Sequence, residues 1–188
     1  MRLPERVGDQ VRIGVAVQVP APFGPALQEA RAGFGDPLAE DIPPHVTLLG
    51  PTVVGPDELA AVRDHLAAVG RAHPPFTVHL RGTGTFRPVS PVVFVPLVQG
   101  IAECERLERA VRSGPLEQDL RFNYHPHVTV AHEVDEPALD RAFRELEHFE
   151  ARFRVEAFQV FEHGDDGVWR AVRDFPLAAS ENGSWDGS

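Results

Sequence analysis

Two short stretches 82 residues apart repeat the same four residues: Pro44-His45-Val46-Thr47 and Pro126-His127-Val128-Thr129. The first, His45–Leu49, sits between Pro-Pro and Gly-Pro and reads as a short strand with fixed ends, and His127–Ala131 reads as its equivalent in the second half. Strand alternation then sorts the side chains. Val46, Leu48, Val128 and Val130 point to one face, and His45, Thr47, His127 and Thr129 point to the other. Two imidazoles flanking one phosphorus atom suit phosphoester chemistry, because a neutral ring can take a proton from the attacking oxygen while a protonated ring donates to the leaving oxygen. A threonine two residues on sets a hydroxyl beside each ring, where it can bond the non-bridging oxygens as their charge grows. The pattern calls for no metal and no cofactor, and near-symmetric motifs leave open which histidine is the acid.

Other residues are weighed against plainer roles. A lone histidine is ordinarily a satisfied core or surface residue; the matched threonines and duplicated context set His45 and His127 apart. His125, His127 and His132 invite a zinc reading, but His132 has the opposite strand parity and no Asp or Glu is placed to complete a set. His125 reads as a rim residue that tunes the groove. Phe86 and Tyr124 are candidates for stacking on a nucleobase, although Tyr124 lies opposite in parity to His127 and is expected to pack or cap the strand. Arg87, Arg81 and Arg121 are candidate phosphate clamps by charge and position, the alternative being solvated surface charge. The GTGTF segment lacks the Gly-Lys-Ser/Thr of a P-loop and opens no helix. His65, His73, His79, His148 and His163 carry no partner pattern, and Cys104 has no evident base near it.

The elements that must position these groups follow from periodicity. Val11–Val19, His45–Leu49, Phe76–Gly82, Val92–Leu97, His127–Ala131, Phe153–Glu162 and Val168–Phe175 read as strands. The strands of residues 76–82 and 92–97 form a long hairpin with Phe86 and Arg87 near its tip, and Gly164-Asp165-Asp166-Gly167 turns between the last two. Helices are expected over Ala26–Ala32, Asp57–Val69 ended by Gly70, Ile101–Arg112 and Glu136–Glu147. Strand, helix and paired strands thus occur twice, each time with a His-Val-Thr strand, which is the pattern of an internal duplication. Residues 1–177 are expected to form one domain of two lobes, roughly 11–97 and 101–176 with possible exchange of strands, followed by a flexible Gly/Ser-rich tail over 178–188.

Composition bounds the partners. The 188 residues include 43% hydrophobic and 24% charged residues, a globular composition. A formal charge of −10 argues against coating long nucleic acid, which needs clustered cations, but leaves room for a local arginine cluster on a small anionic substrate. With one cysteine there can be no intrachain disulfide, and no stretch reads as a signal core or membrane span. A monomer in the cytoplasm, with no membrane partner, is the expectation.

Both His-x-Thr motifs, together with GTGTFRPVSPVVFVPL and the approach Tyr124-His125-Pro126-His127, resemble the 2H phosphoesterase superfamily, and within it the bacterial 2′-5′ RNA ligase-like proteins or RNA 2′,3′-cyclic phosphodiesterases. The resemblance covers most of residues 11–176. It implies an α+β, bilobal, duplicated fold in which two antiparallel sheets face a central groove, helices lie on the outer faces, and each sheet carries one catalytic His–Thr pair. It further implies opening of a 2′,3′-cyclic phosphate on an RNA end or small nucleotide to leave a 2′-phosphate, with ligation as the reverse of a related step. Many relatives carry Arg five residues after the second motif histidine, where this chain has His132. A binding module without turnover, and an esterase for a non-RNA cyclic phosphate, stand as alternatives.

Overall fold

The computed structural model describes residues 3–120 and 122–178; Arg121 and the tail beyond Ala178 lie outside them. The chain order is β1 (Val11–Gln18), α1 (Phe23–Gly33), β2 (His45–Val54), α2 (Leu59–Ala72), β3 (Phe76–Arg81), β4 (Gly84–Thr85), β5 (Val92–Gln99), α3 (Ile101–Val111), a short 3₁₀ turn, β6 (His127–His132), α4 (Glu136–Glu145), β7 (Glu150–Val155), β8 (Ala157–His163) and β9 (Trp169–Pro176). All strand pairs are antiparallel. No helix among the described residues is long and apolar enough to cross a membrane.

Two sheets result. The first runs β2-β1-β8-β9; in the second, β5 pairs with β6 on one edge and with β4 and β3 on the other, and β3 pairs with β7. The motif strands β2 and β6 therefore occupy equivalent edge positions, each bonded to a single neighbour, and they lie against one another where the sheets meet. The sheets exchange strands across the division at 11–97 and 101–176: β3, β4 and β5 join β6 and β7, while β8 and β9 return to β1 and β2. The helices cross over as well. α1 leaves the first sheet and packs on β6 of the second, and α3 leaves the second and packs on β2 of the first.

One apolar cluster fills the interior of both sheets, with Leu27, Leu66, Leu80, Leu107, Leu139 and Phe158 fully buried. Burying each such side chain stabilises the fold by roughly 2 kcal/mol. The motif histidines and threonines are only partly buried on the opposite face, so the groove can carry polar chemistry without weakening this core.

Three boundaries differ from expectation for physical reasons. Gly50-Pro51 does not end the first motif strand; β2 continues to Val54, because the pair sits in an irregularity between the Val15–Leu49 and Ile13–Thr52 pairings of an edge strand, where a missing N–H is tolerated. Gly70 does not end α2, which runs on to Ala72; a Cβ there would stand 2.6 Å from the Pro176 carbonyl oxygen, so the glycine lets the end of β9 lie against the helix. Finally, the expected strand Phe153–Glu162 is two strands in different sheets, parted at Glu156.

Candidate active site

The two motifs hold their histidines by the same device. The Nδ1–H of His45 donates to the Pro43 carbonyl oxygen at 2.7 Å, and that of His127 donates to the His125 carbonyl oxygen at 2.6 Å. In each case a proline intervenes, Pro44 or Pro126, and it holds the preceding residue extended so that its carbonyl turns back to the ring. The bond fixes the tautomer and leaves Nε2 to exchange protons. Neither Nε2 has a hydrogen-bond partner among the described residues, and neither do the hydroxyls of Thr47 and Thr129. Alternation works as the sequence suggests, with Val46, Leu48, Val128 and Val130 buried behind the groove.

Aromatic groups close around the rings. Phe86 meets His127 edge-on with centroids 5.0 Å apart, Phe94 lies 5.1 Å from the same ring, and Phe86 packs on Phe94 at 4.4 Å. His125 stacks against His127 at 6.0 Å and touches both phenylalanines. Gly84 makes room for this cluster, since a Cβ there would stand 2.6 Å from the Phe94 ring. On the other sheet Phe161 lies 6.3 Å from His45. Burial strips water from both rings and lowers both pKa values, that of His127 to about 4, opposed by the carbonyl bonds and reinforced at His127 by its neighbours His125 and His45. At His45 the buried Arg31 guanidinium adds to the depression. At neutral pH both imidazoles of the groove are therefore neutral.

The remaining sequence candidates divide. Phe86 and His125 stand beside His127, as above. Tyr124 is partly buried against the core, and its Oη donates to the Thr47 carbonyl oxygen at 2.9 Å; burial pushes the phenol's pKa up. Arg87 is turned away, its Nη1 held by Glu136 at 2.7 Å and Asp140 at 2.8 Å of α4, with Nε on the Thr85 hydroxyl. That engagement leaves its charge committed to carboxylates.

Periodicity gives no sign of the buried ion pair that braces the motif strands. Arg31 on α1 and Asp36 in the loop after it are 3% and 5% exposed. Asp36 Oδ2 accepts from Arg31 Nη2 at 2.9 Å and Nε at 3.2 Å, and also from the backbone N–H of His132 at the end of β6. Arg31 Nη1 in turn donates to the Ile42 carbonyl oxygen just ahead of β2. The pair joins the entry of one motif strand to the exit of the other, and it engages His132 through its backbone, a contact any residue there could make.

Comparison with known proteins agrees with this picture. Residues 19–167 match the family model described as the 2′-5′ RNA ligase superfamily. A Bacillus licheniformis protein, named provisionally as a phosphoesterase, is 29% identical over 146 residues, covering 77% of this chain and 86% of its own length. Escherichia coli LigT crystallised with 3′-AMP superposes with a TM-score of 0.65 at 18% identity, over 91% of this chain and 100% of that one. Kluyveromyces marxianus Usb1 gives 0.51 at 16% identity, over 90% and 98%. The likeness to the two solved structures is one of fold.

Proposed function

This chain belongs to the 2′-5′ RNA ligase superfamily, and from that membership and the geometry of the groove we propose that it is a cyclic phosphodiesterase that opens 2′,3′-cyclic phosphates of RNA ends or small nucleotides without a metal. The observation that carries the reading is the matched pair of imidazoles on equivalent edge strands, each with Nδ1 tied to the carbonyl two residues back and Nε2 available to the groove. One neutral ring takes a proton from water as the water oxygen attacks phosphorus. The P–O3′ bond breaks, the other ring, protonated, gives its proton to O3′, and a 2′-phosphate remains. Thr47 and Thr129 donate to the non-bridging oxygens as charge builds on them.

The lowered histidine pKa values fit this scheme. Two neutral rings supply no acid on their own; a bound phosphodiester anion raises the pKa of the nearer imidazoles and lets one of them protonate. Phe86 and His125 then stand where a base or ribose of the bound nucleotide would rest, and Tyr124 acts on the site through Thr47. The LigT crystals with 3′-AMP and with phosphate lend support to an occupant of this class.

The test is incubation with each 2′,3′-cyclic nucleotide in EDTA, beside His45→Ala and His127→Ala variants, with the product identified by chromatography. Wild type should yield the 2′-phosphate, and each variant should be slower by about 100-fold to 10⁴-fold. Equal rates in all three proteins would sink the mechanism; activity abolished by EDTA and restored by zinc would replace it with a metal-dependent one.

A further inference from the structure

Three arginines share the groove-side face of the second sheet with His127. β3 alternates buried Phe76, Val78 and Leu80 with Thr77, His79 and Arg81 on the other face, and β7 pairs with it so that Arg81 meets Glu150, His79 meets Arg152 and Thr77 meets Arg154. Pro96, the partner of His127, lies level with Arg81. With strands about 4.8 Å apart and residues about 3.3 Å along them, the Cα atoms of Arg81, Arg152 and Arg154 stand roughly 10, 16 and 20 Å from that of His127. The three arginines therefore form a line that leaves the site across the sheet.

Two of the three arginines, Arg81 and Arg152, carry no ion pair among the described residues, while Arg154 is paired with Glu156. Arg152 and Arg154 are exposed, and among the described residues Arg152 bonds only the neutral amide of Gln99 at 2.9 Å. Glu156 lies 3.7 Å from Arg154, and Glu150 is engaged by His79 at 2.7 Å. The line ends in a cleft of about 170 Å³ where Arg154 and Glu156 face Gln18 and Gln159 of the first sheet. Gln18 is the strand partner of His45, so the cleft at the end of the line lies one strand away from that residue. Among the described residues the corresponding face of the first sheet offers no such line. Asp174 pairs with Gln159 there, and Arg12 is bound to the Pro4 carbonyl and His163.

We propose that this face binds the RNA strand on the 5′ side of the reacting nucleotide, its phosphates on Arg81, Arg152 and Arg154, so that the enzyme prefers an oligonucleotide end to a free cyclic mononucleotide. The inference rests on the proposed function. A 2′,3′-cyclic phosphate stands only at a 3′ end, so the rest of an RNA substrate must leave the site in one direction, and the arginine line supplies the one that is positively charged. A short track also reconciles nucleic-acid binding with a net charge of −10, since a few local cations suffice for a few phosphates.

The experiment compares cytidine 2′,3′-cyclic phosphate with a hexaribonucleotide carrying the same terminus, in wild type and in an Arg152→Gln/Arg154→Gln variant whose exposed substitutions leave the core untouched. Wild type should show a KM for the hexamer at least tenfold lower than for the mononucleotide. The variant should raise the hexamer KM about tenfold, leave the mononucleotide constants within twofold, and flatten the salt dependence of log Kd by about 1.4, or 0.7 for each lost phosphate contact. Fluorescence anisotropy with a labelled hexamer ending in a 2′-phosphate reads the same differences without turnover, so a failure of catalysis does not mask the result. Equal KM values for the two substrates in wild type, or a variant that weakens both alike, would overturn the proposal.

Discussion

The phenol of Tyr124 donates to the main-chain carbonyl of Thr47 at 2.9 Å, a direct bond between the approach to one motif strand and the body of the other. Because β2 and β6 belong to different sheets and share no ladder, this bond helps set how far apart the two imidazoles stand. Tyr124→Phe removes it while keeping the ring. Its thermodynamic effect should be about 1 kcal/mol, a fall in Tm of roughly 2–4 °C. The effect on kcat should be larger, about 10- to 100-fold, since small displacements of reacting groups are costly. Calorimetry and steady-state kinetics on one preparation separate the two, and an unchanged kcat would remove Tyr124 from a positioning role.

The depressed histidine pKa values fix the direction of the pH dependence. In the free enzyme both rings titrate below the ordinary imidazole value, His127 at about 4. As the proposed two-histidine mechanism needs one ring protonated and one neutral, kcat/KM should be bell-shaped with its maximum on the acid side of pH 6.5, while kcat, which reports the phosphate-loaded enzyme, should peak at higher pH. Nuclear magnetic resonance titration should find the His127 pKa rising when inorganic phosphate is added, and also in His45→Ala, which removes a neighbouring positive charge. A kcat/KM optimum above pH 8 would contradict the burial argument.

The Arg31–Asp36 pair is expected to be costly to break singly. Asp36→Asn leaves a buried guanidinium without its counter-charge, and stability should drop by about 3–5 kcal/mol. Replacing both, as Arg31→Met/Asp36→Leu, should recover much of that loss by apolar packing. Activity should not recover with it, because the bonds to the Ile42 carbonyl and the His132 N–H are gone. Urea denaturation and kinetics on both variants distinguish a bracing role from a purely structural one.

Gly70→Ala should destabilise the protein even though alanine is the better helix former by up to about 1 kcal/mol. The new methyl would press on the Pro176 carbonyl, and Ala178 N–H donates to the Gly70 carbonyl at 3.1 Å, so the end of β9 would have to shift. A loss of about 2 kcal/mol is expected from overpacking, read as a lower Tm; a Tm at or above wild type would show that β9 yields freely.

What was legible in the sequence depended on local rules. The motif strands and the facing of their side chains follow from two-residue alternation, which needs no knowledge of the rest of the fold. The hairpin and all four helices carry their own turn and periodicity signals. Residues 150–163 carry only a weak signal: alternation runs from Glu150 to Ala157 and slips by one residue at Phe158, with no turn residue to mark where the run passes from its pairing with β3 to its pairing with β1. The Arg31–Asp36 pair is hidden for a similar reason. A charged residue on a helix reads as solvated until a second element covers it, and here the covering strand comes from the other half of the chain. Arg87 illustrates the converse, a cation near the motif whose partners on α4 are set by tertiary contact.

The crossing of α1 onto β6 and of α3 onto β2 bears on motion. Swinging the two sheets apart as rigid bodies would peel each helix from the motif strand it covers and expose the apolar cluster that both sheets share. The helices act as crossed straps, so opening the groove would cost buried apolar contact on both sheets.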